Sequence, residues 1–241
     1  MKTIYKRIII KLSGEALADD KDRTILDKER LAKVADVVSA VSKAGVQVGI
    51  VVGAGNIWRG RLATKIGIEQ ATGDYMGMLG TIINALAIQS AVEEKGLSCR
   101  VMSSINMPQI CEQYIRRKAM SHLDKGIVVI FAGGTGNPYF TTDSTATLRA
   151  LEVNADAILM AKNDVDGVYD SDPHKNPNAK LIKRLTFHEV VEKKLEVMDL
   201  TAVAMLEGKD VVIRVFNMDD PANFEKVLAG QDLGTTICKE K

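Results

Sequence analysis

With 241 residues, the chain is long enough for one large domain or two small ones, and it can bury a sizeable core. Thirty-two Lys and Arg against thirty-one Asp and Glu leave a formal charge of +1, which excludes electrostatic capture of nucleic acid or of a membrane surface as the main task. Three cysteines, Cys99, Cys111 and Cys238, stand far apart, show no metal-ligand spacing and read as free thiols of a reducing cytoplasm.

The first residues, "MKTIYKRIIIKLSGEALA", superficially imitate a secretory leader, but the apolar stretch is short and Lys11 follows at once, so no leader is expected. No apolar run approaches the roughly 18 residues of a membrane span. "YKRIIIKL" reads as a buried strand. Residues 27–44 read as a helix with Leu31, Val34, Val37, Val38 and Val41 on one face, Asp27 as its cap and Gly45 as its stop. "VQVGIVVG" is a second strand. A long helix is expected after Gly73, with Leu79, Ile82, Ile83 and Leu86 at helical spacing. "SCRVMS" is a short strand, residues 107–125 are expected to be helical, and "IVVIFA" is another strand. A helix begins near Thr142, "DAILMAK" is a strand, and "NDVDGVYDSDPHKNPN" is a polar loop. Helical stretches near 186–194 and 199–208, the strand "VVIRVF", a helix opened by Pro221 and closed by Gly230, and "GTTIC" complete the chain. Continuously apolar strands separated by helices imply a mostly parallel sheet covered on both faces, a three-layer α/β/α sandwich in one domain over residues 1–241.

Ligands of such sheets bind beyond the carboxyl ends of the strands. Four strand ends are suggestive here. The first is Lys11-Leu12-Ser13-Gly14. The second is Gly53-Ala54-Gly55-Asn56, followed by Arg59. The third is the glycine-rich "FAGGTGNPYFTTDSTA", and the fourth leads into Asn163 and "VDGVYDSDP". Neither a P-loop nor a complete Gly-x-Gly-x-x-Gly is present, since Trp58 and Tyr139 occupy the third glycine positions. "DVDG" fails as a calcium loop, because its glycine comes too early and no Glu stands at the twelfth position. What remains is an anion site shared among strand ends. Small residues let backbone N–H groups approach phosphate, Lys11 and Arg59 supply charge, and the Thr/Ser-rich start of the next helix favours an anion. Two phosphate-binding turns and two cations suit a donor and an acceptor that both carry phosphate. His122, His174 and His188 have no nucleophile or metal partner at useful spacing and read as structural or surface residues.

These motifs, in this order, resemble the amino acid kinase family, and within it the members that phosphorylate UMP. "YKRIIIKLSGEAL", "GDYMGML", "GTGNPYFTTD", "AKNDVDGVYDSDP" and "VMDLTA" carry the likeness over nearly the whole chain. The resemblance implies ATP-dependent phosphorylation of UMP with Mg²⁺ in pyrimidine nucleotide biosynthesis, by a cytoplasmic homohexamer inhibited by UTP. The acceptor site would lie mainly in the N-terminal part and the donor site mainly in the C-terminal part. By position, Lys11, Leu12, Ser13, Gly14, Gly55, Arg59, Asn163, Tyr169 and Asp172 match ATP contacts. Ala54, Asp74 and the segment Thr135, Gly136, Asn137, Pro138, Tyr139, Phe140, Thr141 and Thr142 match UMP contacts, with Asp74 on the ribose. Lys11, Arg59 and Asp143 match catalytic positions, Asp199 lies in a matching segment, and no protein metal site is implied.

Two positions depart from the family's pattern. Ala54 stands where "GGGN" is usual, which is tolerable at negative φ and awkward at positive φ. "ADDKDR", Ala18 to Arg23, replaces a glycine-rich segment linked to activation by GTP, so weak or absent activation is expected. Rival readings are a kinase for a carboxylate such as acetylglutamate, and a nucleotide-binding storage or regulatory protein on the same fold. The ribose partner beside "NPYFTT" opposes the first, and Lys11 with Arg59 opposes the second.

Overall fold

Ile8, Ile9 and Ile10 are consecutive, β-branched and wholly buried, which a strand achieves only when both faces of its sheet are covered. They form the middle of β1 (Arg7–Leu12). The computed structural model describes residues 3–19, 24–162, 165–173, 175–195, 197–218 and 220–240. Asn163, His174 and residues 20–23 of the "ADDKDR" segment lie outside them.

After β1 the chain runs through α1 (Lys28–Lys43), β2 (Gln47–Val52), α2 (Gln70–Glu94), β3 (Cys99–Ser103), β4 (Glu112–Gln113), α3 (Arg116–Asp124), β5 (Val128–Ala132), α4 (Thr142–Glu152) and β6 (Ala157–Lys162). There follow β7 (Val168–Tyr169), β8 (Leu181–Ile182), β9 (Arg184–Thr186), α5 (Phe187–Glu192), α6 (Leu200–Leu206), β10 (Val212–Asn217), α7 (Ala222–Leu228) and β11 (Thr235–Cys238). Nine strands form one sheet in the order β4-β3-β5-β2-β1-β6-β10-β11-β9. Its pairs are parallel except β10 with β11, so the sheet is mostly parallel, as expected.

Side-chain alternation sorts the core into two layers. Ile8, Ile10 and Leu12 join Val34 and Val38 of α1, Ile82 and Ile88 of α2, and Phe224 of α7. Ile9 joins Leu123 of α3, Ala146 and Ala150 of α4, Phe187 of α5 and Val203 of α6. Helices therefore cover both faces, which is the three-layer sandwich. The chain starts at β1, winds outward through β2, and returns to the other side of β1 with β6. That reversal makes the carboxyl end of β1 the switch point where such sheets hold ligands.

Several local expectations need correction. Residues 107–125 are not one helix. Glu112 and Gln113 pair with Met102 and Ser103, and only Arg116–Asp124 is helical. Tyr114 packs edge-on against Phe131 at 5.7 Å between ring centroids, and this tertiary contact overrides local helix preference. The polar stretch after β6 contains β7, which pairs with β8 just beyond it in a hairpin too short to show a period. α2 begins at Gln70, so Gly73 lies inside it. On α2, Ile82 is buried whereas Leu79 and Ile83 are exposed, because the face turned to the sheet carries Met78, Thr81, Ala85 and Ile88. By length and composition alone α2 could cross a membrane, with mean hydropathy 1.3, yet half of that stretch is buried as a core helix.

Candidate active site

Lys11 stands two residues after Ile9, so it projects from the same face of β1, toward α4. Its Nζ lies 2.7 Å from Asp143 Oδ1, in the first turn of α4. That oxygen is buried and has no hydrogen-bond partner, so the lysine charge, rather than an aligned hydrogen bond, offsets its desolvation. Capping explains why the helix begins there. Thr141 Oγ1 accepts the N–H groups of Asp143 at 3.0 Å and Ser144 at 3.2 Å, and donates to Asp199 Oδ2. Asp199 in turn caps α6 by accepting the Ala202 N–H at 2.8 Å, and it accepts from Ser144 Oγ as well. One carboxylate thus ties the starts of α4 and α6 together.

The turn after β2 is held against the turn after β1. Gly53 N–H donates to the Leu12 carbonyl at 3.0 Å, while the Leu12 side chain is buried in the core, so only its backbone faces the strand ends. A Cβ on Gly14 would fall 2.7 Å from the Gly53 carbonyl oxygen and 2.8 Å from Gly55 N, which is why glycine is needed there. Asn84, fully buried on α2, donates to the Gly53 carbonyl at 2.7 Å and exchanges amide hydrogen bonds with Asn56 at 2.8 and 3.1 Å. Ala54 is absent from the described residues with positive φ, so the departure from "GGGN" is sterically permitted. Room for its methyl group comes from Gly80, where a Cβ would approach the Cβ of Ala54 to 2.8 Å. Arg59 follows this turn and pairs with Glu15 at 2.5 Å.

The glycine-rich segment after β5 needs its glycines for conformation. Gly133, Gly134 and Gly136 have φ of 73°, 59° and 83°. Thr81 Oγ1 accepts the Gly133 N–H at 2.9 Å, and Ser104 Oγ donates to the Gly134 carbonyl at 2.8 Å. Behind them Arg149, 3% exposed, donates to Ser104 Oγ at 2.7 Å and to Glu152 Oε2 at 2.5 Å, and lies 3.8 Å from the centroid of the Tyr114 ring. Tyr114 donates to the same Glu152 oxygen at 2.6 Å; burial and that carboxylate push its phenol upward. The loop is thereby fixed from below by a buried polar network. From above, Asp74 Oδ2 accepts the backbone N–H of Tyr139 at 2.8 Å, and Asp74 Oδ1 accepts from Gln70 at 2.7 Å. Tyr139 has φ of 70°, a conformation that costs a non-glycine residue about 1–3 kcal/mol.

Two clefts result. One, about 160 Å³, is lined by Ala54, Trp58, Asp74, Gly134, Phe140 and Thr142 among others. The other, about 340 Å³, is lined by Lys11, Ser13, Glu15, Met160, Lys162 and Met218 among others. Lys11 lines the second cleft, and its partner Asp143 directly follows Thr142, which lines the first, so the ion pair links the walls of the two. Among the residues expected from sequence, Thr135, Asn137 and Pro138 form the outer turn of the glycine-rich loop. There Thr135 Oγ1 accepts the Asn137 N–H at 3.2 Å. Tyr169 and Asp172 belong to the hairpin segment, which is anchored where Thr235 Oγ1 accepts the Val168 N–H at 2.8 Å and Asn217 donates to Asp166 at 3.3 Å. They stand at the carboxyl edge of the sheet and do not line the second cleft. His122 contacts Glu112 at 3.0 Å and His188 is largely exposed, both away from the clefts.

Sequence reading missed Asn84, Thr81, Arg149, Glu15 and Lys162. Asn84 had a signal, a polar residue within the apolar pattern of a long helix. The others acquire their partners only through folding.

A model of the amino acid kinase family matches residues 6–217. The uridylate kinase of Limosilactobacillus reuteri is 53% identical over 233 residues, covering 97% of each chain, and that of Pediococcus pentosaceus is 50% identical over 237 residues, covering 98% of each. The crystal structure of UMP kinase from Bacillus anthracis is 42% identical, covers 98% of this chain and 97% of its own, and superposes with a TM-score of 0.95. A strand end bearing Lys11 at the switch point, a glycine-rich loop after β5 and these whole-length likenesses agree, and the chain belongs to the amino acid kinase family, in its uridylate kinase branch.

Proposed function

We propose that the protein transfers the γ-phosphoryl group of ATP to the phosphate of UMP, giving ADP and UDP, and so serves pyrimidine nucleotide synthesis. The observation that carries this reading is the ion pair of Lys11 with Asp143 at the carboxyl end of β1, the switch point of the sheet, where Lys11 lines one cleft and Thr142, next to Asp143, lines the other. The glycine-rich cleft beside Asp74 takes UMP, and the cleft between β1 and β6 takes the donor phosphates. An oxygen of the UMP phosphate forms the new bond to γ-phosphorus, the bond from γ-phosphorus to the β–γ bridging oxygen breaks, and ADP leaves with the electron pair. A phosphate monoester with a second pKa near about 6 is already an anion at neutral pH, so no general base is required. Catalysis then rests on position and charge. Lys11 neutralises the transferring group. Arg59 exchanges Glu15 for nucleotide phosphate. Backbone N–H groups of residues 13–14 and of Ala54 and Gly55 face the equatorial oxygens, the Gly53 N–H being taken by the Leu12 carbonyl. Asp143 holds Lys11 in place, and Asp199 fixes the helix start that carries Asp143.

Uridylate kinases are phosphotransferases that use ATP, and Mg²⁺ is the metal that fits here. Among the described residues no group of three His, Cys, Asp or Glu is placed to hold an ion. Mg²⁺ prefers phosphate oxygens and water with one or two carboxylates, so it would be held largely through ATP and water, with Asp143, paired to Lys11 of the donor cleft, as the carboxylate. When bound it neutralises phosphate charge.

The remaining assignments are parts of the same proposal. Residues 1–241 act as one unit, with the acceptor site mainly N-terminal and the donor site, including Asn163, Tyr169 and Asp172, mainly C-terminal. The protein works in the cytoplasm as a homohexamer, and exposed Tyr75, Leu79 and Ile83, four residues apart on α2, supply an apolar stripe for a second copy. UTP inhibits and GTP activates weakly or not at all. A coupled assay for ADP with UMP, CMP, dUMP and acetylglutamate as acceptors tests the central claim. Turnover with UMP far above the others supports it, and turnover with acetylglutamate alone overturns it.

A further inference from the structure

Both cations anticipated at the site are matched by carboxylates in the protein itself, Lys11 by Asp143 at 2.7 Å and Arg59 by Glu15 at 2.5 Å. A third cation is present. Lys162 is the last residue of β6, the strand beside β1. Ile158 and Met160 face the core layer of α4, and period-2 alternation puts Lys162 on that same face, where Lys11 also projects. Lys162 lines the same cleft as Lys11 and Ser13. Among the described residues it forms no ion pair, and its ammonium donates only to the Val197 carbonyl, at a long 3.4 Å. Among the described residues, the charged groups around it are Lys11 from β1, Asp143 from α4, and Glu15 across the cleft. Burial, then repulsion from Lys11, push its ammonium below the ordinary lysine range, and Asp143 opposes them. A half-buried cation beside another cation is unfavourable unless an anion arrives.

We propose that Lys162 is a phosphate-binding residue of the donor cleft, its ammonium contacting the triphosphate of the bound nucleotide alongside Lys11. The proposal rests on the donor reading of that cleft. An incoming triphosphate gives Lys162 the charge-assisted hydrogen bonds that the Val197 carbonyl supplies poorly. Lys162 is then a determinant of donor affinity, with no part in holding UMP.

The test compares the unaltered protein with Lys162→Gln and Lys162→Arg. Dissociation constants for ATP with Mg²⁺ and for UMP are measured by calorimetry, together with both KM values, kcat and melting temperature. Lys162→Gln is expected to raise the ATP dissociation constant and KM by roughly tenfold or more, the scale of one lost charge-assisted hydrogen bond, and to leave UMP affinity within about twofold. Lys162→Arg, which keeps the charge and should fold even if the glutamine variant does not, is expected to recover most of the ATP affinity. Unchanged ATP affinity in Lys162→Gln overturns the proposal. So does a parallel loss for ATP and UMP with a lowered melting temperature, which marks a structural role. Failure of the unaltered protein to phosphorylate UMP overturns the activity itself, a result separate from either of these.

Discussion

Asp74 and Tyr139 are joined by a 2.8 Å hydrogen bond from the tyrosine backbone N–H to the carboxylate, although 65 positions separate them in the chain. The bond anchors the glycine-rich loop to the first turns of α2 and holds Tyr139 at its positive φ. The carboxylate proposed to hold the acceptor's sugar therefore also shapes the loop around it.

Asp74→Asn should lower kcat/KM for UMP by roughly 10- to 100-fold, since hydrogen bonds to a charged acceptor contribute about 1.5–3 kcal/mol. Loss with dUMP should be smaller, because one sugar hydroxyl is already missing. The ratio of kcat/KM for UMP over dUMP is the measurement. Equal values for the two substrates in the unaltered protein would remove Asp74 from the sugar.

Lys11→Ala should reduce kcat by roughly 10²–10³-fold, the scale of one preorganised charge-stabilising group, with little change in KM for UMP. Asp143 Oδ1 then stays buried without its ion-pair partner. The double variant Lys11→Ala/Asp143→Ala should therefore lose much less than the sum of the single losses in free energy. Full additivity in steady-state kinetics would show that the two residues act separately.

Gly80→Ala offers a sign test. In a helix interior alanine is favoured over glycine by about 0.8–1.0 kcal/mol. Here the new methyl would meet the Ala54 Cβ at 2.8 Å, and overpacking costs about 1–3 kcal/mol. The single variant should be destabilised in urea titrations and lose activity through the displaced Gly53–Gly55 turn. In an Ala54→Gly background the same substitution should stabilise. Stabilisation in both backgrounds would contradict the close approach.

Cys99 is fully buried, and burial first, then the Glu93 carboxylate, push its thiol from 9.0 up to about 12. The folded state thus holds this proton more tightly than the unfolded state. Its stabilising contribution is complete below about pH 9 and is lost as pH rises toward about 12. Unfolding free energy should fall over that window, and Cys99→Ala should flatten part of the slope. In the native protein, thiol reagents should modify Cys111 and Cys238 before Cys99.

Much of this molecule was determined by its sequence alone. Unbroken apolar runs such as Ile8–Ile10 specify strands covered on both sides, and local caps such as Asp27, whose carboxylate accepts the Arg30 N–H at 2.9 Å, specify where helices start. The strand-end motifs located Lys11, the Gly53–Gly55 turn and the glycine-rich loop, because glycine and capping requirements are local properties of the backbone. Only the tertiary structure decided which strand ends meet. Strand order places β6 beside β1, and that adjacency, invisible to any local pattern, brings Lys162 into the cleft of Lys11. It also decided that residues 107–115 leave the helix, because Tyr114 finds Phe131, Arg149 and Glu152 only in the folded chain. Short elements such as β7–β8, and buried partners such as Asn84 and Arg149, depend on surroundings assembled from distant segments. Their free energy comes from desolvated contacts that do not exist until the layers pack.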